Sequence, residues 1–238
     1  GRVMSCPTLL TVLAHPDDEI LCAGTLMAQK EKGWRVVILW LTKGEMTNAF
    51  GPIDVVEVAK RRTELAFEAL DILGVEGRFL DFPDSAVEAN VEASKQVANV
   101  IAEVRPNGIL TWGDAWVRGL RHPDHQATGK IARDAVNFAR IEKIANPENP
   151  HREFCPIFTM RDVHSKMPVL AVNVTDHVDK IFQAAEHYRK AIGFGDAEWL
   201  KARLQSAGSD WGVDYAEEFD AWETGEGLVE SLLPHMSP

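Results

Sequence analysis

The sequence predicts an α/β fold, a doubly wound and mostly parallel sheet, and three observations predict it. Short continuous apolar runs alternate with longer segments whose apolar residues recur at helical spacing. Glycine, proline and acidic residues punctuate the junctions. The residues best suited to chemistry follow the apolar runs, where ligands collect in open parallel sheets. A chain of 238 residues is long enough for one large α/β domain over residues 1–238.

Taken in order, Thr8–Leu13 is a short apolar run, the pattern of a parallel strand buried on both faces. Ile20–Lys32 follows, with Leu21, Cys22, Leu26 and Met27 spaced for a helix that Gly33 stops. Arg35–Thr42 is a second buried strand, ending at Lys43-Gly44-Glu45. Val55–Leu73 reads as a long helix with Val58, Leu65, Ala69 and Ile72 on one face and Gly74 as its stop. Arg78–Phe82 makes a third strand broken by Pro83-Asp84-Ser85, Val91–Val104 a helix, and Ile109–Trp112 a fourth strand after the turn Pro106-Asn107-Gly108. Beyond it, Gln126–Arg140 reads as helix. Asn146–Pro156 is a proline-rich loop, expected to serve as a lid or substrate loop. Val163 and Val169–Val174 suggest one or two strands, and Asp176–Ile192 a helix capped by Asp176. Ala197–Leu204 and Tyr215–Trp222 read as helical pieces of an acidic, helical C-terminal region over about residues 196–238.

Net charge is −11, which argues against a nucleic-acid partner. From Asp196 to Pro238 ten acidic residues stand against Lys201 and Arg203, a local balance of −8 that reads as solvated surface. No run of eighteen apolar residues occurs and the first residues lack a signal-type apolar core, so a cytoplasmic protein without a membrane span is expected. Cys6, Cys22 and Cys155 have no metal-type spacing and read as reduced, structural thiols.

The stretch Ala14-His15-Pro16-Asp17-Asp18-Glu19 places one imidazole and three carboxylates where a buried strand ends. Uncompensated charge is costly there, and a divalent cation compensates it. His15 and Asp18 are three apart, so a helical turn opening at Pro16 lets both reach one ion and leaves Asp17 beside it. His122-Pro123-Asp124-His125 repeats the pattern as the other half of one site. Two imidazoles and a carboxylate with an open position form a catalytic zinc arrangement, in which a bound water becomes acidic. The spacing does not choose between His122 and His125 as the second imidazole ligand. Asp17 then stands as general base, and the remaining imidazole stabilises or protonates a tetrahedral intermediate, with Asp124 placed to keep it protonated. Glu19 reads as a carboxylate favouring a helix N-terminus. This combination suits metal-assisted hydrolysis of an acyl or amide bond.

These two motifs resemble those of the LmbE/PIG-L family of zinc-dependent N-acetylglucosamine-type deacetylases, over roughly residues 8–130. The resemblance implies a Rossmann-like sheet and removal of acetyl from an N-acetylated amino sugar or glycoconjugate. It assigns His15, Asp18 and His125 to zinc (ferrous iron is the other ion such a site takes), Asp17 to the base and His122 to the acid or oxyanion role. Thr42-Lys43-Gly44-Glu45 resembles the family's T-x-G-E turn, Arg61 its substrate-binding arginine (Arg62 is adjacent), and Asp84-Ser85 its D-S pair, which makes Glu45, Arg61 and Asp84 substrate-binding candidates. Tyr215-Ala216-Glu217-Glu218-Phe219 resembles a late Y-A-E-x-F piece. Leu120 replaces the tyrosine that mycothiol-type members carry before the second motif.

Competing readings are a hydrolase of another small amide or ester, a non-catalytic nucleotide-binding module, and a magnesium-dependent phosphotransferase. The module lacks G-x-G-x-x-G after the first strand and G-x-x-x-x-G-K-[ST] anywhere, and histidine ligands disfavour magnesium. Trp112, Trp116, Arg118 and Arg121 flank the second motif as a candidate sugar platform. The expected partner is a small N-acetyl sugar or sugar conjugate, and a homo-oligomer is compatible with the sequence.

Overall fold

The computed structural model of the chain describes residues 7–113, 122–145, 149–193 and 197–238. In order the elements are β1 (Thr8–Leu13), α1 (Ala23–Glu31), β2 (Arg35–Trp40), α2 (Val55–Leu73), β3 (Glu76–Phe79), α3 (Val91–Val104), β4 (Gly108–Thr111) and α4 (Pro123–Phe138). There follow β5 (Ile157–Met160), β6 (Val169–Asn173), α5 (Val178–Ile192), α6 (Ala197–Trp211), β7 (Ala216–Ala221) and β8 (Gly227–Val229). The strands form one eight-stranded sheet in the order β3-β2-β1-β4-β5-β7-β6-β8. β3 through β5 run parallel, β7 pairs antiparallel with β5 and β6, and β8 is parallel to β6.

β1 is buried along its whole length because alternate residues feed different cores. Leu9 and Leu13 join a core closed by Leu26 of α1, Ala66 of α2, Ile181 of α5 and Leu200 of α6. Leu10 and Val12 join a second core closed by Val97 of α3 and Ile131 of α4. Each such leucine contributes about 1.5–3 kcal/mol on burial, which is why these strands read as continuous apolar runs. Local signals set the helix ends. Asp54 and Asn90 accept from the backbone N–H groups of Glu57 and Ala93, and Gly74 closes α2 in the left-handed conformation, φ 72°. The chain runs from β1 through β2 to β3 on one side of β1 and crosses back through α3 to β4 on the other, so the crevice between β1 and β4 is the switch point where doubly wound sheets bind ligands.

Several expectations change. Tyr215–Trp222 is not helical: it holds strand β7, whose Glu217 and Asp220 are buried with hydrogen-bond partners and so hide the apolar alternation. The C-terminal region is thus helix α6 followed by two strands. Ile157–Met160 is a strand too short to stand out after Pro156, whereas Val163 lies in a loop, 87% exposed. Asp176 does not cap α5: it lies in a short 3₁₀ turn, Thr175–His177, and the cap residue is His177. The described part of Asn146–Pro156 is not a lid. His151 Nε2 bonds the Pro106 carbonyl at 2.6 Å and the Pro156 carbonyl accepts from Ile109, so the loop lies at the N-terminal ends of β4 and β5, opposite the switch crevice. Asn146, Cys6, Trp116, Arg118, Leu120 and Arg121 lie outside the described residues. Cys22 and Cys155 are buried free thiols, and burial pushes Cys155 up to about 12, as suits structural residues. Among the described residues no helix is long and apolar enough to cross a membrane.

Candidate metal centre

β1 ends at Leu13, and the next six residues turn back on themselves. Asp18 N–H bonds the His15 carbonyl at 3.1 Å and opens a 3₁₀ turn, Asp18–Leu21. Asp17 sits before it at φ 124°, a conformation that non-glycine residues rarely adopt. Glu19 holds it there. Its Oε1 accepts from Asp17 N–H at 2.8 Å and Trp40 Nε1 at 3.2 Å, and its Oε2 from the Tyr188 hydroxyl at 2.5 Å. Glu19 is therefore a fully buried brace rather than a solvated helix-end charge, and burial pushes its carboxyl above the usual range.

Asp18 divides its two oxygens between two tasks. Oδ2 accepts from the N–H groups of Ala14 (3.0 Å) and His15 (2.9 Å) and from Trp112 Nε1 (3.1 Å). Oδ1 faces His125 Nε2 at 3.3 Å and His15 Nδ1 at 3.7 Å. Burial alone would raise this carboxyl, but His125 and His15 hold it well below the ordinary carboxylate range. The other nitrogen of His15, Nε2, lies 2.8 Å from Asp124 Oδ2 and 3.1 Å from Asp84 Oδ1. Burial opposes a charge on His15, yet Asp18, Asp84 and Asp124 together raise it to about 11. Three carboxylates gathered around one imidazole make this a pocket that favours positive charge.

Asp124 is fully buried, and its oxygens also accept from Ser85 N–H (2.7 Å) and Val87 N–H (3.1 Å). It thus orients His15 and does not keep His122 protonated: its carboxylate is 4.0 Å from His122 Nδ1, which instead accepts from Asp124 N–H and caps α4. Burial and the nearby His15 lower the pKa of His122. Its ring stands edge-on to His15 at 4.7 Å. Among the described residues two triads bring their donor atoms within 4.8 Å of one another, His15-Asp18-His125 and His15-His122-Asp124.

Two neighbours take roles that the sequence does not reveal, because only the fold brings them in. Trp112, at the end of β4, stacks on His125 with ring centres 3.8 Å apart and planes 10° from parallel, so it supports the histidine that shares its Asp18. Arg62 is buried and donates to the Pro16 carbonyl, 3.9 Å from Asp17, in a cradle that a side chain at Gly44 would fill. Arg61, expected at the site, instead points away. It lies half-exposed beside Glu57 at 3.5 Å and over Phe50, because adjacent helical positions face different directions. Glu45 and Asp84 tie two loops together, Glu45 accepting from Asp84 N–H and Asp84 from Met46 N–H, both at 2.9 Å. A cavity of about 750 Å³ opens beside His122, His125 and Trp112 and extends to α6.

Residues 10–136 match the family model described as PIG-L, GlcNAc-PI de-N-acetylase. The chain belongs to this family. It is 37% identical to the diacetylchitobiose deacetylase of Thermococcus kodakarensis over 135 residues, 56% of this chain and 50% of that protein, so the match spans about half of that relative. Among solved structures, the conserved protein TT1542 of Thermus thermophilus is 32% identical, and the match covers 90% of this chain and 93% of that one, with a TM-score of 0.76. The N,N'-diacetylchitobiose deacetylase of Pyrococcus horikoshii has the same fold, with a TM-score of 0.81 at 24% identity over 92% of this chain and 84% of that one.

Proposed function

We propose that this PIG-L family member is a metal-dependent hydrolase that removes acetyl from an N-acetylated amino sugar or glycoconjugate, with His15, Asp18 and His125 holding a zinc ion. One observation carries the reading. Asp18 Oδ1 faces two imidazole nitrogens while Oδ2 is saturated by three N–H donors, which leaves one carboxylate oxygen aimed at a cation position. The alternative triad is less suited, because Asp124 accepts from two backbone amides and His15, and His122 Nδ1 is engaged at the helix. His15 carries the outer carboxylates expected behind a metal-bound imidazole, Asp124 and Asp84. Nitrogen and oxygen donors of this kind suit zinc, and ferrous iron next.

A bound ion supplies Lewis acidity toward the acetamide carbonyl and makes water more acidic. Asp17 takes the proton of the attacking water and passes it to the departing amine. Asp17 is not a ligand in this reading, and it stands beside the buried Arg62 guanidinium at 3.9 Å, which keeps it available for proton transfer. His122, whose side chain is 40% exposed, hydrogen-bonds the carbonyl oxygen as negative charge develops there. The relative described as a diacetylchitobiose deacetylase supports an N-acetylglucosamine unit as the acylated group. Acetate release from N-acetylglucosamine, N,N'-diacetylchitobiose and other N-acetyl sugars tests the reading. Asp17→Asn should retain the ion and lose activity ~10²–10⁴-fold, while His15→Ala and Asp18→Ala lose the ion as well. Full activity in Asp17→Asn would refute the base, and a zinc-loaded wild type inert on every sugar would refute the reaction.

A further inference from the structure

The geometry points to Trp199 as the platform for a second sugar ring, one residue beyond the acetylated sugar, in a subsite formed by α6. This inference rests on the deacetylase reading and extends it to the length of substrate the site accepts. On the side of the centre formed by Glu45 and Asp84, the carboxylates are engaged by each other's loop and by His15. The opposite side is open. The cavity of about 750 Å³ is lined by His122, His125 and Trp112 and also by Trp199 and Arg203, and its volume exceeds that of a single amino sugar.

Trp199 is unusual within its own helix. α6 packs through Leu200, Leu204 and Ala207, which are buried, whereas Trp199 stays 51% exposed in the cavity wall. An indole that gains so little from the core is informative, because exposed large apolar side chains gathered at one mouth mark ligand sites. Val163, 87% exposed, lines the same cavity from the loop after β5. Arg203, one turn along, lies over the Trp199 ring at 5.6 Å and restrains its rotation. A fixed indole plate matches the apolar C–H face of a pyranose, whose hydroxyls point outward around its rim.

Calorimetric binding of N-acetylglucosamine and of its β-1,4-linked disaccharide to the zinc-loaded protein tests the assignment, with acetate release measured in parallel. The wild type should prefer the disaccharide, Trp199→Ala should cut the ratio of the two dissociation constants about tenfold, and Trp199→Phe should keep most of it. Equal weakening of both sugars in Trp199→Ala, or a wild type without preference, overturns the subsite. A preference that depends on Trp199 in a protein that releases no acetate supports the subsite and overturns the deacetylase reading instead.

Discussion

Replacing Trp112 by phenylalanine takes away one donor while leaving an aromatic ring against His125. In the native chain Trp112 Nε1 is one of three donors on Asp18 Oδ2, with Ala14 N–H and His15 N–H, and its indole stacks on His125 at 3.8 Å. The variant keeps most of the stack and leaves Asp18 with two donors and freedom to rotate Oδ1 away from the two imidazoles. A hydrogen bond to a charged group contributes about 1.5–3 kcal/mol. Losing an outer partner of a metal ligand typically weakens binding ~10–100-fold, and the two scales agree because tenfold is about 1.4 kcal/mol. Competition for zinc against a chelator should show Trp112→Phe weaker by that factor, and the metal-free protein, which also holds the bond, should lose ~1.5–3 kcal/mol of stability. An unaltered zinc affinity would refute the argument, since it would mean that the indole does not set the direction of the ligand oxygen.

Two other predictions concern stability. At Gly44, φ is +62° and an added Cβ would lie 2.6 Å from Arg62 Nη2, so Gly44→Ala should lower stability by ~1–3 kcal/mol. Denaturant midpoints measure this, and a neutral substitution would show that the Arg62 cradle is not tight. Glu217, buried at the N-terminus of α1, accepts from Gly24 N–H, Thr25 N–H and the Thr25 hydroxyl, yet burial pushes it from 4.5 up to about 7. Between those values the folded chain holds a proton that the unfolded chain has released, so stability falls as pH rises through the window, by ~3 kcal/mol in all. Glu217→Gln should flatten that slope in denaturation series from pH 4.5 to 8, and an equal slope in both proteins would refute it.

Legibility followed the kind of force that fixes each element. β1 and β2 are buried on both faces, so their sequences are continuous apolar runs that need no context. α2 and α3 carry their own caps, Asp54 with Gly74 and Asn90, and their limits read directly. β7 was opaque because Glu217, Glu218 and Asp220 occupy three of its six positions, and their partners, Thr25, Trp211 and Arg161, lie on other elements. The same division holds at the centre. His15, Asp17, Asp18, His122 and His125 stand out because so many titratable groups in so few residues have no packing use. Trp112 reads as a sugar platform, Glu19 as a helix-end charge and Tyr188 as an ordinary core residue until the sheet brings all three beside that cluster. Arg61 and Arg62 differ only in which side of α2 they occupy, a rotation of about 100° that composition does not encode.

The hydrogen bond that caps α4 also decides the chemistry of one imidazole. A backbone amide has only a hydrogen to offer, so the nitrogen of His122 that receives it from Asp124 must keep its lone pair. The neutral ring then carries its single hydrogen on Nε2, and adding another at Nδ1 would uncap the helix. His122 is in this way committed to one tautomer before any sugar arrives, and the start of a helix acts as the selector.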